Sequence, residues 1–157
     1  MVAIGISPGT WWRSPYGAEH IDDRAILAVE PLPFPRGRFG SQRVYRGEPG
    51  SYHSGIDIAT GGSGTPYVAP ADGVVVLAAK APFTLEGNLL IIDHGMGLSS
   101  AFLHSSELLV REGETVRQGQ TIGRIGATGR ATGPHLHWGL TWRGLRLDPL
   151  LFTGPMP

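Results

Sequence analysis

Short apolar runs separated by turn residues make up most of the chain after residue 36. Several of them alternate apolar with polar positions, which is the period-two pattern of a half-buried β-strand. One run, VVVLAA, is instead continuously apolar and follows a Pro-Ala-Asp-Gly turn. The pattern predicts strands at residues 56–59, 74–79, 88–95, 98–104 and 135–144, with the third and fourth forming a hairpin, and two short strands around Gly119 within residues 112–126.

One pattern occurs twice in the chain. Residues 68–79 (VAPADGVVVLAA) and 110–123 (VREGETVRQGQTIG) each read as strand, glycine turn, strand, as in the half-motifs of barrel-sandwich folds. Two such halves would bury a β core and leave a groove open on one face. The sequence therefore predicts an all-β, mostly antiparallel fold: a barrel-sandwich hybrid, or duplicated hybrid-motif β sandwich, with an open groove.

The first 36 residues do not share this pattern. Residues 22–30 weakly predict a short helix, and three prolines then alternate within residues 31–35, which favours an extended linker. We therefore expect a boundary near Arg36, with an N-terminal extension and Pro-rich linker at 1–36 and a single compact domain at 37–157. The extension is either the remnant of an upstream module or a segment that partly covers the groove.

Composition narrows the classes of partner. Thirteen basic residues balance thirteen acidic ones, so the formal net charge of zero gives no reason to expect nucleic acid or an anionic membrane as a partner. No stretch approaches the roughly 18 to 20 consecutive apolar residues that a membrane helix needs. The first residues, MVAIGISP, lack the basic start of a signal peptide. With no cysteine, the chain has neither disulfides nor thiolate ligands.

A histidine and an aspartate lie where the first predicted strand begins. His53 and Asp57 are four residues apart, so both side chains can approach one point if the chain bends at Gly55. This spacing is also met by chance, and a surface histidine near a turn aspartate is the alternative interpretation.

A pair of histidines lies on the last long predicted strand. Alternation places His135 and His137 on one face and turns Leu136 towards the core. Two charged imidazoles side by side would repel each other, unless a metal keeps one of them neutral. Paired polar residues on an exposed strand are the alternative, although Gly133 and Pro134 just before the pair favour a built site.

The other three histidines stand alone in the sequence. His104 ends a predicted strand, and a surface histidine at a strand end is its ordinary interpretation. His94 falls in an Asp-His-Gly turn, where an imidazole can hydrogen-bond the backbone to close a hairpin, so we assign it a structural role. His20 lies in the N-terminal segment, with no partner motif in the sequence.

Together these motifs resemble those of the lysostaphin-like (LytM-type, M23) zinc metallopeptidases. The resemblance runs from about Phe39 to Phe152, roughly the last two-thirds of the chain. It includes the HxxxD motif, the strand ending in His104 and the GPHLHWGL stretch. The intervening stretches APADGVVVLA, IIDHGMGLSS and VRQGQTIGRIGATGRAT, and the final LDPL, occur in the expected order. Several ordered motifs across one domain are far more specific than any histidine pair alone.

The resemblance implies a site and an activity. It assigns His53, Asp57 and His137 as the zinc ligands, and His104 and His135 as the catalytic pair. It implies a Zn²⁺-dependent endopeptidase that hydrolyses peptide bonds in peptidoglycan stem peptides or cross-links, with a zinc-bound water as the nucleophile. Between the two kinds of cross-link, we favour the direct one over a glycine-rich bridge. We further expect a monomer located in the periplasm, outside the cell or in the cell envelope.

Two other functions fit parts of the sequence. Family members that have lost the five site residues act as regulators of cell-wall amidases, although all five positions are filled here. Barrel-sandwich domains also serve as lipoyl, biotinyl or phosphoryl carriers. Lys80, the only lysine, lacks the usual flanking residues of a modified lysine, and a phosphoryl carrier has no need of Asp57.

Overall fold

The computed structural model describes residues 37–45 and 47–152, and nearly all of their regular structure is antiparallel β. The extension, short helix and linker predicted at 1–36 lie outside the described residues. No helix within the described part of the chain is long and apolar enough to cross a membrane. The elements are β1 (Gln42–Tyr45), β2 (Glu48–Tyr52), β3 (Ile56–Ile58), β4 (Pro66–Val68), β5 (Gly73–Phe83), β6 (Gly87–Gly95), β7 (Leu98–Ser105), β8 (Glu107–Leu108), β9 (Thr115–Val116), β10 (Thr121–Arg124), β11 (Leu136–Trp142), β12 (Leu145–Leu147) and a short 3₁₀ helix, Pro149–Leu151.

Seven strands form the larger sheet, in the order β12-β11-β7-β6-β5-β9, with β3 also paired to β11. The predicted hairpin is present as β6 and β7. Two short strands share one edge of β11: β3 pairs with residues 136–138, and β12 pairs with residues 140–142. This arrangement brings the segment around Asp57 beside the strand that carries the second histidine motif.

A smaller sheet, in the order β4-β10-β8, packs against the larger one. Tyr67 from β4 stacks on Phe102 from β7, with ring centroids 5.4 Å apart, and both side chains are buried. The Tyr67 and Ser105 hydroxyls are hydrogen-bonded at 2.7 Å, so the polar atoms at this contact are satisfied. The core lies between the two sheets, which confirms the predicted all-β sandwich; within the described residues the sheets do not close into a barrel.

The two similar sequence units pair with each other across the sandwich. The first runs from β4 in the smaller sheet to β5 in the larger one, and the second runs from β9 in the larger sheet to β10 in the smaller one. The first strand of each unit therefore pairs antiparallel with the second strand of the other unit, β4 with β10 and β9 with β5. The two turns are joined by hydrogen bonds at 2.9 Å from Ala69 N–H to the Gln120 carbonyl and from Gly119 N–H to the Ala69 carbonyl.

His94 fastens the larger sheet to the first of these turns. Its Nδ1 lies 2.9 Å from the Asp72 carbonyl and its Nε2 lies 2.8 Å from Ser100 Oγ, and the ring is fully buried. Ser100 Oγ also accepts a hydrogen bond from Trp138 Nε1 at 3.2 Å, so its hydroxyl proton is available to Nε2. The predicted backbone hydrogen bond is present, but it reaches the turn before β5 and not the hairpin turn beside His94 itself.

Acid should weaken the fold through His94. Burial lowers the pKa of His94 in the folded protein below its ordinary value of about 6.5. Below about pH 6.5 the unfolded chain therefore binds more protons at this residue than the folded protein does. The free energy of unfolding consequently falls as the pH drops. We expect the free energy of unfolding of the metal-free wild type to fall more steeply than that of His94→Gln. The difference in slope, measured by urea unfolding, has an upper limit of about 1.4 kcal/mol per pH unit, the value for one proton. Equal slopes would contradict the role given to His94.

Candidate active site

Backbone register brings the two sequence motifs together. Asp57 in β3 and His137 in β11 are directly paired residues. The chain bends at Gly55, so His53, which follows β2, reaches the same point. Leu136 is fully buried in the core, while the neighbouring imidazole of His137 turns to the opposite face, as strand alternation requires.

Three potential ligand atoms form a close triangle. His53 Nε2 lies 2.9 Å from Asp57 Oδ1 and 3.0 Å from His137 Nδ1, and the last two atoms are 2.9 Å apart. Within the described part of the chain, these three residues form a group whose ligand atoms lie close enough together to hold one metal ion. Zinc bonds to histidine nitrogen and carboxylate oxygen are about 2.0–2.2 Å long, so one ion can reach all three atoms.

The chemistry of the donors also fits a cation. His53 Nδ1 lies 3.0 Å from the Arg38 carbonyl, which can only accept, so Nδ1 carries the proton. In the neutral ring, Nε2 then presents a lone pair towards the carboxylate of Asp57. Two electron-pair donors 2.9 Å apart repel each other unless a proton or a metal ion lies between them.

Asp57 is held in its charged form. Burial by itself would raise the pKa of its carboxyl group, but the hydrogen bond with His137 and the charges of the surrounding imidazoles outweigh that effect. The pKa of Asp57 therefore lies below its ordinary value. A carboxylate that is ionised at neutral pH is ready to bind a metal without first losing a proton.

His104 lies beside this triangle in a strained conformation. Its φ of 67° is in the left-handed region, which costs a non-glycine residue about 1–3 kcal/mol. Hydrogen bonds hold it there: its N–H donates to the Glu86 carbonyl at 2.9 Å, and Nδ1 donates to the Thr128 carbonyl at 2.9 Å. Nε2 is consequently the nitrogen of His104 that is left with a lone pair.

His135 completes the cluster. Its ring centroid lies 4.8 Å from that of His104, and its Nε2 lies 3.8 Å from Asp57 Oδ1. Nδ1 lies 2.8 Å from the Gly133 carbonyl, which fixes the ring. The structure thus brings all five sequence-predicted residues together, as a triangle of potential ligands with a pair of imidazoles at its side.

The surroundings of His104 give it a pKa that differs from that of an ordinary surface histidine. Burial lowers its pKa; the hydrogen bond to Thr128 opposes this, while the neighbouring imidazoles lower the pKa further. The net effect is a lowered pKa, so the ring is neutral at neutral pH. A neutral imidazole with a free lone pair is able to accept a proton.

Two contributors were not identified from the sequence. The Thr128 hydroxyl accepts a hydrogen bond from Asn88 N–H at 2.9 Å and donates to the Ser105 carbonyl at 3.0 Å, which fixes the loop whose carbonyl orients His104. Gly55 was expected only to bend the chain. In the structure it also allows close approach, because a Cβ there would lie 2.8 Å from His137 Nε2 and would overlap the Trp138 backbone.

The fold and the cluster can be compared with those of known proteins. The sequence profile of Peptidase family M23 matches residues 51–149, which is more than half of the chain, and the chain belongs to this family. The resemblance noted from the sequence is thereby confirmed.

Relatives and solved structures agree with this membership. Peptidoglycan DD-endopeptidase ShyA of Vibrio cholerae serotype O1 is 42% identical over 104 residues, which are 66% of this chain and 24% of ShyA. Murein hydrolase activator NlpD of Salmonella dublin is 41% identical over 100 residues, which are 64% of this chain and 26% of NlpD. The crystal structure of a zinc containing peptidase from Vibrio cholerae is 30% identical with a TM-score of 0.69, over 88% of this chain and 40% of that one. The chain spans about a quarter of the length of these two curated relatives.

Zinc binding should depend on the triangle and not on the imidazole pair of His104 and His135. Replacing His137 with alanine removes one of three ligand atoms and should abolish tight zinc binding. His104→Ala should keep nearly one zinc per chain, because the ligand atoms are untouched. Metal analysis after dialysis tests this division, and loss of zinc from the His104 variant would contradict it.

Proposed function

We propose that the protein is a zinc-dependent endopeptidase that hydrolyses peptide bonds in peptidoglycan. The observation that carries this proposal is the triangle of His53, Asp57 and His137 with a buried, neutral imidazole beside it. A metal site could in principle be structural and not catalytic. Structural zinc sites, however, usually have four protein ligands. Three protein ligands leave a position for a reacting molecule.

The ligand triangle has a defined chemical role in this proposal. His53 and His137 contribute neutral nitrogen atoms and Asp57 contributes one negative charge, so a bound Zn²⁺ keeps a net positive charge. Zinc held in this way supplies a Lewis acid that acidifies a water molecule and polarises a carbonyl group. The protein must then supply the groups that move protons.

His104 and His135 are the groups within reach. In our proposal His104 Nε2 accepts the proton of the attacking water, since its lowered pKa keeps it neutral and its Nδ1 proton is already committed to Thr128. His104 then passes that proton to the leaving amine as the C–N bond of the substrate breaks. His135 would stabilise the oxyanion that develops on the substrate carbonyl, by donating a hydrogen bond from Nε2 when that nitrogen carries a proton. The two rings are adjacent, with centroids 4.8 Å apart, so both can contact one scissile peptide.

The relatives support peptidoglycan as the substrate. ShyA is named a peptidoglycan DD-endopeptidase, which agrees with our expectation of a direct cross-link between D-amino acids. We extend that substrate class to this chain, and with it a location in the periplasm or cell envelope where peptidoglycan lies.

A regulatory role is the second candidate. NlpD, which is named a murein hydrolase activator, is about as similar to this chain as ShyA is. A regulator has no need of zinc ligands, an ionised Asp57 or an oriented His104. The complete cluster therefore favours the peptidase.

Purified peptidoglycan provides the test. The zinc-loaded protein should release soluble fragments whose mass spectra correspond to cleaved cross-links, and a chelator should stop the release until zinc is restored. His104→Ala is the matched control, because it should keep zinc yet lose at least about a hundredfold in rate, the contribution of a general base. A zinc-loaded wild type that releases nothing, but stimulates a cell-wall amidase, would overturn the peptidase and support the regulator.

A further inference from the structure

A turn before the matched region surrounds the first ligand. His53 N–H donates to the Ser41 carbonyl at 2.7 Å, and the His53 carbonyl accepts from Gly40 N–H at 2.8 Å. The ring of the same residue donates from Nδ1 to the Arg38 carbonyl at 3.0 Å. Both backbone groups of His53 and its outer ring nitrogen are thus held by one turn.

The Arg38 carbonyl is itself fixed within that turn. Ser41 donates to it twice, from its hydroxyl at 2.8 Å and from its N–H at 3.2 Å. A carbonyl held in this way sets both the tautomer and the orientation of the His53 ring. Backbone carbonyls that accept the outer N–H of a ligating histidine typically contribute about 10- to 100-fold to metal affinity.

Gly37 holds the second ligand from the same side. Its carbonyl accepts the Asp57 N–H at 3.0 Å, in an isolated β-bridge. A Cβ on Gly37 would lie 2.9 Å from Asp57 Cγ and 3.0 Å from His53 Cε1, with Asp57 Oδ2 closer still. The backbone of Gly37 therefore rests directly on the carboxylate that completes the triangle.

We propose that residues 37–41 form a ligand clamp, in which Gly37 is the positioning residue for Asp57 and the Arg38 carbonyl is the positioning group for His53. The clamp lies outside residues 51–149, the part of the chain that the family profile matches. It acts through hydrogen bonds and close packing on two ligands and does not contact the reacting atoms. This inference rests on the metal site of the proposed function.

Gly37→Ala tests the clamp because the added methyl group must displace the Asp57 carboxylate. Gly62→Ala is the matched control: a Cβ there meets no atom within 4 Å. Zinc affinity, measured by competition with a chromophoric chelator, should fall about 10- to 100-fold in Gly37→Ala and stay at the wild-type value in Gly62→Ala. Urea unfolding of the metal-free proteins should give similar midpoints for all three.

Repeating Gly37→Ala in an Asp57→Ala variant separates an effect on the position of the Asp57 carboxylate from a general effect on folding. With the carboxylate absent, the methyl group of Gly37→Ala meets only the edge of the His53 ring. It should therefore lower the remaining zinc affinity, measured at higher zinc, by a much smaller factor than in the wild-type background. The double variant should also regain any stability that Gly37→Ala loses. Wild-type affinity in Gly37→Ala, or an equal loss in both backgrounds, would overturn the clamp and leave the peptidase standing. A wild type that binds no zinc would overturn both.

Discussion

The backbone pairing of β3 with β11 is the interaction on which the site depends. It makes Asp57 and His137 direct neighbours, and a shift of one residue in either strand would turn one of their side chains to the opposite face. The register is stabilised by the core, because Leu136 is fully buried only when His137 faces the cluster. Burial of an apolar side chain, a strong and non-directional contribution to stability, thereby fixes the position of a polar one.

Backbone carbonyls then orient the rings. His53, His104 and His135 each direct Nδ1 to a carbonyl oxygen, which leaves Nε2 facing the cluster. His137 is the exception, since its Nδ1 is the atom that approaches Asp57. The carbonyls belong to irregular segments, the ligand clamp and the loop before β11. A rigid sheet and precisely bonded loops together provide the preorganisation that metal binding and proton transfer need.

Period-two alternation predicted several of the strands, the hairpin of β6 and β7, and the shared face of His135 and His137. A continuously apolar run after a turn predicted β5, whereas β1, β2 and β8 were not predicted. Each feature that was predicted depends on neighbouring residues along the chain. Alternation could not predict that the strands of one similar unit pair with those of the other, β4 with β10 and β5 with β9. Such pairing depends on contacts between residues that are distant along the chain. The ligand clamp also escaped prediction, since its contribution comes from carbonyl oxygens and from the absence of a side chain at Gly37. Every residue has a carbonyl oxygen, and a glycine in a turn does not by itself reveal which side chain will lie against it.

In our proposal one metal ion is held by two imidazoles and one carboxylate. X-ray absorption at the zinc edge of the loaded wild-type protein tests it most directly, because the outer-shell scattering of imidazole rings can be counted. We predict four nitrogen or oxygen ligands at about 2.0–2.2 Å, with two imidazoles among them. Three or more imidazoles, or a six-coordinate shell of oxygen atoms, would contradict the division between the ligand triangle and the pair formed by His104 and His135.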